Sequence, residues 1–438
     1  MTAGPPNDKF RSEHRRETSP VRRLARAQWK SRRAFIMRRT LLTLTTVVGL
    51  MSMLFVAAPH ASAAPTDPAP VPGTLYASVP DLSGFANGDV VANRRFSSPL
   101  YPGADIWQLQ YRSSDSRGDA IAAVTTVLAP ANRTPGGPLL SYQPFVNALG
   151  LQCAPSESLF GADPTTGVQE REFLNLALMR GWSVTIPDHL GPKSAYGAAK
   201  LGGQITLDGI RAAQRVPELG LSAGPVGMAG YSGGGMATAW AAALAPSYAP
   251  ELNIVGAAAG GVPADLDNIA RALGFQPHQA FGLAFAAALG LEREYPDRLP
   301  ITAQLNPTGL ALKDQVSNAC TPVILATGAF KSALAVSTTT SLVDSPEAQQ
   351  IIDENSLVKY SGVPTAPTFL WGSDNDPLIP IGALRDTAAR YCASGATLQF
   401  DVVHAPQHIQ AAFEGLPAAL TFLDNRFRGV APPTNCVR

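Results

Sequence analysis

The sequence predicts an α/β fold in which a mostly parallel central sheet is covered by helices on both faces and interrupted by an inserted helical cap. Short, mostly apolar runs alternate with helical patterns along the chain, which is typical of a parallel sheet. One long helix-rich segment breaks this alternation before the last two apolar runs, which indicates an insertion between strands.

The first 63 residues are expected to be a leader that is removed on export. Residues 1–40 hold twelve Lys or Arg against three acidic residues, and the uncharged apolar run Leu41–Ala58 follows. Ala61-Ser62-Ala63 has the small-x-small pattern that a signal peptidase reads, so cleavage is expected after Ala63. A membrane anchor is the alternative for the apolar run. Arg32-Arg33 resembles a twin-arginine signal, whereas a start at Met37 would give a conventional one.

The charge and cysteine content of the mature part, residues 64–438, indicate which partners and cross-links to expect. It keeps 34 − 12 = 22 basic and 33 − 3 = 30 acidic residues, a formal net charge of −8, so nucleic acid is not an expected partner. All four cysteines fall after residue 63, and an even number in an exported chain predicts two disulfides. No Cys-x-x-Cys pattern is present, and no metal or organic cofactor is expected.

Residues 64–262 are expected to form the first part of the core, after a Pro-rich lead-in. The first five predicted strands are Ala120–Leu128, Pro138–Tyr142, Trp182–Pro187, Val226–Ala229 and Ile254–Ala258. Two more, Thr368–Trp371 and Leu398–Val403, lie in residues 363–438, which complete the core. The helical patterns are Ile205–Arg215, Ala237–Leu244 and a final helix whose apolar face runs from Ile409 to Phe427.

Residues 263–362 are predicted to form the inserted helical cap. Within this segment Phe281, Leu283, Phe285, Ala286, Ala287 and Leu289 form a run that is apolar on nearly every side. Such a run suits a lid or an acyl-chain channel, and a buried packing helix explains it equally well.

The strongest chemical motif is Gly230-x-Ser232-x-Gly234, which lies between an apolar strand and an Ala-rich helix. In a nucleophile elbow the strand-to-helix turn is so tight that the positions two before and two after the serine must lack a side chain. The serine hydroxyl is then exposed on a strained backbone. This context predicts an α/β-hydrolase fold with Ser232 as the nucleophile.

A serine nucleophile needs a histidine base, which in this fold follows the serine and an acid along the chain. His404 and His408 are the candidates, because the other four histidines lie in the leader, before the serine or in the cap. His408 is preferred, since it lies in a loop after the last strand and directly before the final helix. His404 ends the strand itself and fits a structural role.

The acid is expected in Trp371–Pro380, which follows a strand and precedes a helix. Asp376 is preferred there, because Asp374 suits a role in turning the loop. Asp188 also ends a strand, but it precedes the serine and is therefore assigned a structural role.

Two backbone donors are expected to stabilise the developing oxyanion. The N–H of Gly233, directly after the nucleophile, is the first. The second should come from the loop after the strand ending at Tyr142, where Gln143 is the nearest candidate and Pro144 has no N–H to offer.

The chain resembles the secretory lipase family, which is related to the fungal lipase A type within the α/β-hydrolases. The stretches that match its motifs are Leu151–Ser156, Arg180–His189, Leu207–Ala212, Gly230–Gly234 and Ser247–Gly256. The resemblance implies Ser232 as nucleophile, Asp376 as acid and His408 as base. It also implies disulfides joining Cys153 to Cys320 and Cys392 to Cys436. The chain departs from the family at Gln143-Pro144, where the family has an acidic residue, and in the cap around Phe281.

The expected function is hydrolysis of acyl esters through an acyl-enzyme on Ser232. The resemblance implies long-chain triacylglycerols as substrates, with lipid-interface contact through the cap as an expected further interaction. Alternatives that use the same triad are a short-chain esterase, acyl transfer to another alcohol and peptide hydrolysis. A non-catalytic surface binding protein is a further alternative, disfavoured by the intact Ser, Asp and His set.

Overall fold

The computed structural model describes residues 67–78, 80–161 and 164–436. The predicted leader, with its cleavage site after Ala63, lies outside the described residues. Within the described part of the chain, no helix is long and apolar enough to cross a membrane.

The core is one nine-stranded sheet in the order β1-β2-β3-β5-β4-β6-β7-β8-β9. Neighbouring strands from β1 to β5 pair antiparallel, and from β5 through β4 to β9 every pair is parallel. The strands are β1 (Val90–Phe96), β2 (Ala104–Ser114), β3 (Ala120–Pro130), β4 (Leu139–Gln143), β5 (Ser183–Pro187), β6 (Val226–Tyr231), β7 (Ile254–Gly260), β8 (Thr368–Ser373) and β9 (Leu398–Val403). The predicted fold class is confirmed, and all seven predicted strands are present.

The sequence did not reveal β1 and β2, because polar side chains interrupt their apolar pattern. In β2, Gln108 and Gln110 are buried and satisfied by hydrogen bonds. Gln108 donates to the carbonyl of Ser156 at 2.5 Å, and Gln110 donates to that of Leu75 at 2.5 Å. A buried polar group is stable once it is paired, but the pairing depends on distant residues.

Helices cover both faces of the sheet, as predicted. They are α1 (Pro155–Ser158), α2 (Pro164–Met179), α3 (Ala199–Arg215), α4 (Gly233–Tyr248), α5 (Leu266–Gly274), α6 (Phe281–Glu294), α7 (Pro307–Val316), α8 (Thr321–Gly328), α9 (Ala333–Val336), α10 (Pro346–Glu354), α11 (Gly382–Ala393) and α12 (His408–Phe427). Helices α3, α4 and α11 pack with one apolar cluster of the core, and α2 and α12 pack with the other. The close approach of α3 to α4 requires Gly203, where a Cβ would lie 2.9 Å from Leu244 Cδ1.

Six helices, α5 to α10, lie between β7 and β8, inside the segment predicted to be a cap. They have an apolar cluster of their own, which includes Phe281, Phe285 and Ile324. A disulfide joins Cys153, in the connection that follows β4, to Cys320 at the start of α8, and a second joins Cys392 to Cys436. Both pairings are those that the family resemblance implied.

Candidate active site

Ser232 lies in the turn between β6 and α4, at the carboxyl end of the parallel strands. Its backbone has φ 55° and ψ −122°, a conformation that an L-residue rarely adopts. A Cβ on Gly230 would collide with the backbone of Gly234, and one on Gly234 would collide with that of Gln143. Both glycines are therefore needed for the turn, as the motif predicts.

The structure brings Ser232, His408 and Asp376 together in one chain of hydrogen bonds. Ser232 Oγ lies 2.8 Å from His408 Nε2, and His408 Nδ1 lies 2.6 Å from Asp376 Oδ2. His408 is the first residue of α12, so the expectation that it lies in the loop before this helix is corrected by one position. Its backbone carbonyl accepts a hydrogen bond from the Tyr231 hydroxyl at 2.6 Å, which orients the start of the helix over the serine.

Asp376 is held as a carboxylate despite its burial. Its side chain is only 1% exposed, and its second oxygen accepts backbone N–H bonds from Leu378 at 2.9 Å and Ile379 at 3.1 Å. Burial alone would raise the pKa of this carboxyl group, but the bonds from His408 and the two backbone amides lower it below the usual value. The ionised form is therefore present beside the imidazole at neutral pH.

The alternative histidine and acids are placed elsewhere. His404 is largely exposed, and its Nδ1 lies 2.9 Å from Asp374, so these two residues form a separate pair at the surface. Asp188 accepts hydrogen bonds from the backbone N–H and the hydroxyl of Ser156, at 2.8 and 2.7 Å. This contact supports the structural role that the sequence predicts for Asp188.

The two predicted oxyanion donors differ in their surroundings. Gly233 is the first residue of α4, where a backbone N–H has no partner within its helix. Gln143 belongs to β4 and pairs with Gly230, rather than starting the loop. Its buried side chain donates to Ser141 Oγ at 2.7 Å and accepts from Thr238 Oγ1 at 2.7 Å.

Asn147 is a neighbour of the serine that sequence reasoning missed. A Cβ on Gly233 would lie 2.5 Å from Asn147 Oδ1, so the side-chain amide reaches the start of α4. This Oδ1 is buried and has no hydrogen-bond partner among the described residues. The carbonyl of Asn147 accepts from the Thr321 hydroxyl of α8 at 3.2 Å, which ties this position to the cap segment. Asn147 could have been considered from the sequence, because it lies in the loop after β4, from which the second oxyanion donor was expected.

Ser232 and His408 open into an apolar cavity of about 400 Å³. Helices α5, α6 and α10 supply much of its wall, through residues such as Leu273, Phe285 and Ile352. Among the described residues that line it, none is Asp, Glu, Lys or Arg. Helix α6 has both features that the sequence left open, since Leu289 is buried in the cap cluster while Ala287 of the same helix lines the cavity.

The sheet order, the strand-to-helix turn and the Ser-His-Asp arrangement define an α/β-hydrolase. A model of the secretory lipase family matches residues 162–435, and the chain belongs to this family, as its motifs predicted. The chain is therefore a lipase, an enzyme that hydrolyses esters, and lipid esters are its substrates. Family membership and the two disulfides indicate an extracellular protein.

Several known proteins are similar over most of the chain. Lipase A of Moesziomyces aphidis is 32% identical over 91% of this chain and 90% of its own. The crystal structure of Candida antarctica lipase A in its closed state superimposes with a TM-score of 0.79 and 32% identity, covering 84% of this chain and 89% of that one. A Mycobacterium tuberculosis protein named "Probable inactive lipase" is 34% identical over 74% and 73%. Relatives from Malassezia globosa and Malassezia furfur are named secreted triacylglycerol lipases.

Proposed function

We propose that the protein hydrolyses triacylglycerols and related lipid esters through an acyl-enzyme on Ser232. The observation that carries this proposal is the unbroken hydrogen-bond chain from Ser232 through His408 to Asp376, at 2.8 and 2.6 Å. An adjoining uncharged cavity of about 400 Å³ suits an aliphatic acyl chain. Because one relative is named an inactive lipase, these residues of the chain itself are the main support for turnover.

In the proposed reaction, Ser232 Oγ attacks the ester carbonyl carbon while His408 Nε2 accepts the hydroxyl proton. Asp376 keeps the Nδ1–H of the imidazole turned toward itself and stabilises the imidazolium that forms. The tetrahedral intermediate then collapses, the carbon–oxygen bond to the alcohol breaks, and His408 returns its proton to the leaving oxygen. Water, activated by the same imidazole, attacks the acyl-enzyme and releases the fatty acid.

The negative oxygen of the intermediate needs two donors, and the N–H of Gly233 supplies one. We place the second at the side-chain amide of Asn147 rather than at Gln143. The Asn147 amide reaches Gly233, and its Oδ1 has no hydrogen-bond partner among the residues that the structure describes, so a half-turn about its last torsion would present Nδ2 there without breaking a bond of this oxygen. Removing one such donor lowers kcat by about 10²–10³. Asn147→Ala is expected to show this loss with KM little changed, and a loss under about threefold would exclude Asn147 as a donor.

The proposed function is tested by comparing the mature wild type with Ser232→Ala. The substrates are p-nitrophenyl esters and emulsified triglycerides of graded acyl length. Release that requires Ser232 and rises toward long chains and emulsions would support the proposal. Release confined to short soluble esters would indicate a short-chain esterase, and acyl-alcohol products formed in added alcohol would indicate acyl transfer.

The assignment of the base has a matched control in the same segment. His408→Ala is expected to remove nearly all ester cleavage, because no other imidazole lies within hydrogen-bond distance of Ser232 Oγ in the described structure. His404→Ala removes only the surface pair with Asp374 and is expected to retain near wild-type activity. Equal losses in the two variants would contradict the assignment.

We further propose that the cap, residues 263–362, contacts the lipid surface through α8, α9 and the segment between them. Phe330 is 71% exposed there, and Val323 and Leu334 are exposed beside it. Lys331 is the one charged residue in the sequence between Cys320 and Asp344. The inner sides of the same helices line the Ser232 cavity through residues such as Leu325 and Val336. A mostly apolar face with a single cation, beside the cavity, suits contact with a lipid surface.

This contact is tested with Val323→Ser, Phe330→Ser and Leu334→Ser combined. The combined variant is expected to lose activity on triglyceride emulsions severalfold while retaining that on a soluble p-nitrophenyl ester. The matched control is Met179→Ser, since Met179 is 78% exposed at the end of α2, outside the cap. Equal emulsion activity of all three proteins would contradict lipid contact at this face.

The export route completes the proposal. The basic leader and Ala61-Ser62-Ala63 support secretion with cleavage after Ala63. N-terminal sequencing of the secreted protein checks this position, and a mature chain beginning with Ala64 is the expected result.

A further inference from the structure

A buried carboxyl group supports the segment that carries Asn147. Glu170 lies on α2 and is 6% exposed. It accepts a hydrogen bond from the Tyr142 hydroxyl, at the end of β4, and the backbone N–H of Phe145 also donates to it. Both donors belong to the stretch 142–145, which leads directly to Asn147. Asn147 itself is held from the other side by the cap, because the Thr321 hydroxyl donates to its backbone carbonyl.

The surroundings of Glu170 are otherwise apolar. The carboxyl group borders a small cavity of about 70 Å³, to which α12 presents Ile409, Phe413 and Leu416. Phe145 and Ile409 line both this cavity and the large cavity of Ser232, so the two cavities are neighbours. The titratable groups nearby are the Tyr142 hydroxyl from β4, Tyr101 from the connection before β2, and Arg171 on α2 itself. Burial raises the pKa of Glu170 to about 7, although the Tyr142 and Phe145 bonds lower it.

We propose that Glu170 is a positioning residue that fixes Phe145 and thereby holds the Asn147 amide beside Gly233 during ester hydrolysis. The inference rests on the proposed function, because it assigns Asn147 a part in that reaction. Glu170 is not among the described residues that line the Ser232 cavity, so it acts on the reaction only through the stretch 142–147.

The ionised form of Glu170 is the one that holds the stretch most firmly. A hydrogen bond to a carboxylate is roughly twice as strong as one between neutral groups. Ionisation inside an apolar site is costly for folding, and a glutamine would fill the same space without that cost. The Glu170 carboxylate therefore lowers the stability of the fold but strengthens the hydrogen bond from Phe145. Such an arrangement is expected if the reaction depends on the precise position of Asn147.

The test compares Glu170→Gln with wild type and with Glu172→Gln, which removes an exposed carboxylate two residues away on the same helix. The substrate is soluble p-nitrophenyl butyrate, so that lipid contact plays no part. At pH 8.5, kcat of Glu170→Gln is expected to fall about tenfold, with KM within about twofold, because a charge-assisted bond becomes a neutral one. At pH 6, where wild-type Glu170 is itself protonated, the ratio of the two kcat values is expected to approach one. Because both proteins are measured at the same pH, any effect of pH that the two share cancels from this ratio.

A merely structural role makes different predictions. Glu170→Gln is expected to unfold at a higher temperature than wild type at pH 8.5 while being the slower enzyme, whereas a structural residue would lower both quantities. Equal kcat at pH 8.5, or a ratio that does not change between pH 6 and 8.5, would overturn the positioning role. A wild type that cleaves no ester would instead overturn the proposed function, and the inference with it.

Discussion

The strained backbone of Ser232 makes a prediction about stability that can be separated from catalysis. Its φ of 55° with ψ of −122° is a region that glycine enters freely and other residues enter at a cost of about 1–3 kcal/mol. Ser232→Ala keeps the Cβ and therefore the strain, whereas Ser232→Gly relieves it. Both variants lose the 2.8 Å bond to His408 Nε2, so this loss cancels between them.

Glycine also has a disadvantage, because it adds freedom to the unfolded chain worth about 0.4–1 kcal/mol. The net expectation is that the free energy of unfolding of Ser232→Gly exceeds that of Ser232→Ala by about 1 kcal/mol. The lost methyl group is expected to change little, since Ser232 lines the cavity. Both variants should be inactive on esters.

The assay is urea unfolding of the oxidised mature protein, followed by tryptophan fluorescence and fitted with a common slope. A higher midpoint for the glycine variant is expected. An alanine variant that is as stable as the glycine variant, or more stable, would refute the claim that the turn stores strain at Ser232.

Three further predictions concern buried contacts. Asp376→Asn should lower kcat about 10⁴-fold by favouring the wrong tautomer of His408, as measured with a soluble ester, and a loss below tenfold would contradict its role. Burial raises the pKa of Asp188 to about 7, above its unfolded value near 3.9, so the folded state binds more protons between these values. The free energy of unfolding should therefore fall as pH rises from about 4 to 7. Asp188→Asn should reduce this fall, as measured by urea unfolding at several pH values. The same fall in wild type and variant would contradict the raised pKa of Asp188. Replacing Cys153 and Cys320 by alanine opens a link across 167 residues and should lower the unfolding free energy by about 5 kcal/mol, whereas an unshifted urea midpoint would exclude this contribution.

The parallel half of the fold was predictable because most of its strands are short, mainly apolar runs. Strands β4 to β8 are largely buried and lie inside the sheet, so they can be recognised from composition, whereas the edge strand β9 is half-buried and contains Gln399 and Asp401. Strand β1 escaped recognition because it is an edge strand with Arg94 and Arg95 side by side. The Arg94 guanidinium is placed by Gln108 at 2.6 Å, a pairing across two strands that no local pattern contains.

The residues of the site divide in the same way. Ser232 is marked by a turn that demands glycines on either side, and His408 and Asp376 follow from chain order and strand ends. No sequence motif identifies Asn147. Its amide lies beside Gly233 only because the connection after β4 returns to the first turn of α4. Glu170 is less visible still, because a single glutamate on a helix is ordinarily a solvated residue. Its burial results from the packing of α2 on the sheet, where Tyr142 of β4 lies against Phe173 and donates to Glu170.

Two buried charges at the end of α6, Arg293 and Glu294, indicate which part of the cap can move when substrate enters. At the end of α6, the Arg293 guanidinium donates to the core carbonyls of Leu149 at 2.7 Å and Lys193 at 2.9 Å, and Glu294 accepts from the backbone N–H of Ser116 at 2.7 Å. Lifting α6 from the core would leave both charges without these partners, and breaking a buried charged contact costs about 3–5 kcal/mol. Helix α9 is held largely by neutral bonds, such as that from the Asn306 amide to the carbonyl of Ala335 at 3.0 Å. A rearrangement at a lipid surface is therefore expected in α9 and in the segment before it, where Phe330 is exposed. Helix α6 stays in place as the inner wall of the cavity, and so does the start of α8, which the Cys153–Cys320 disulfide ties to the core.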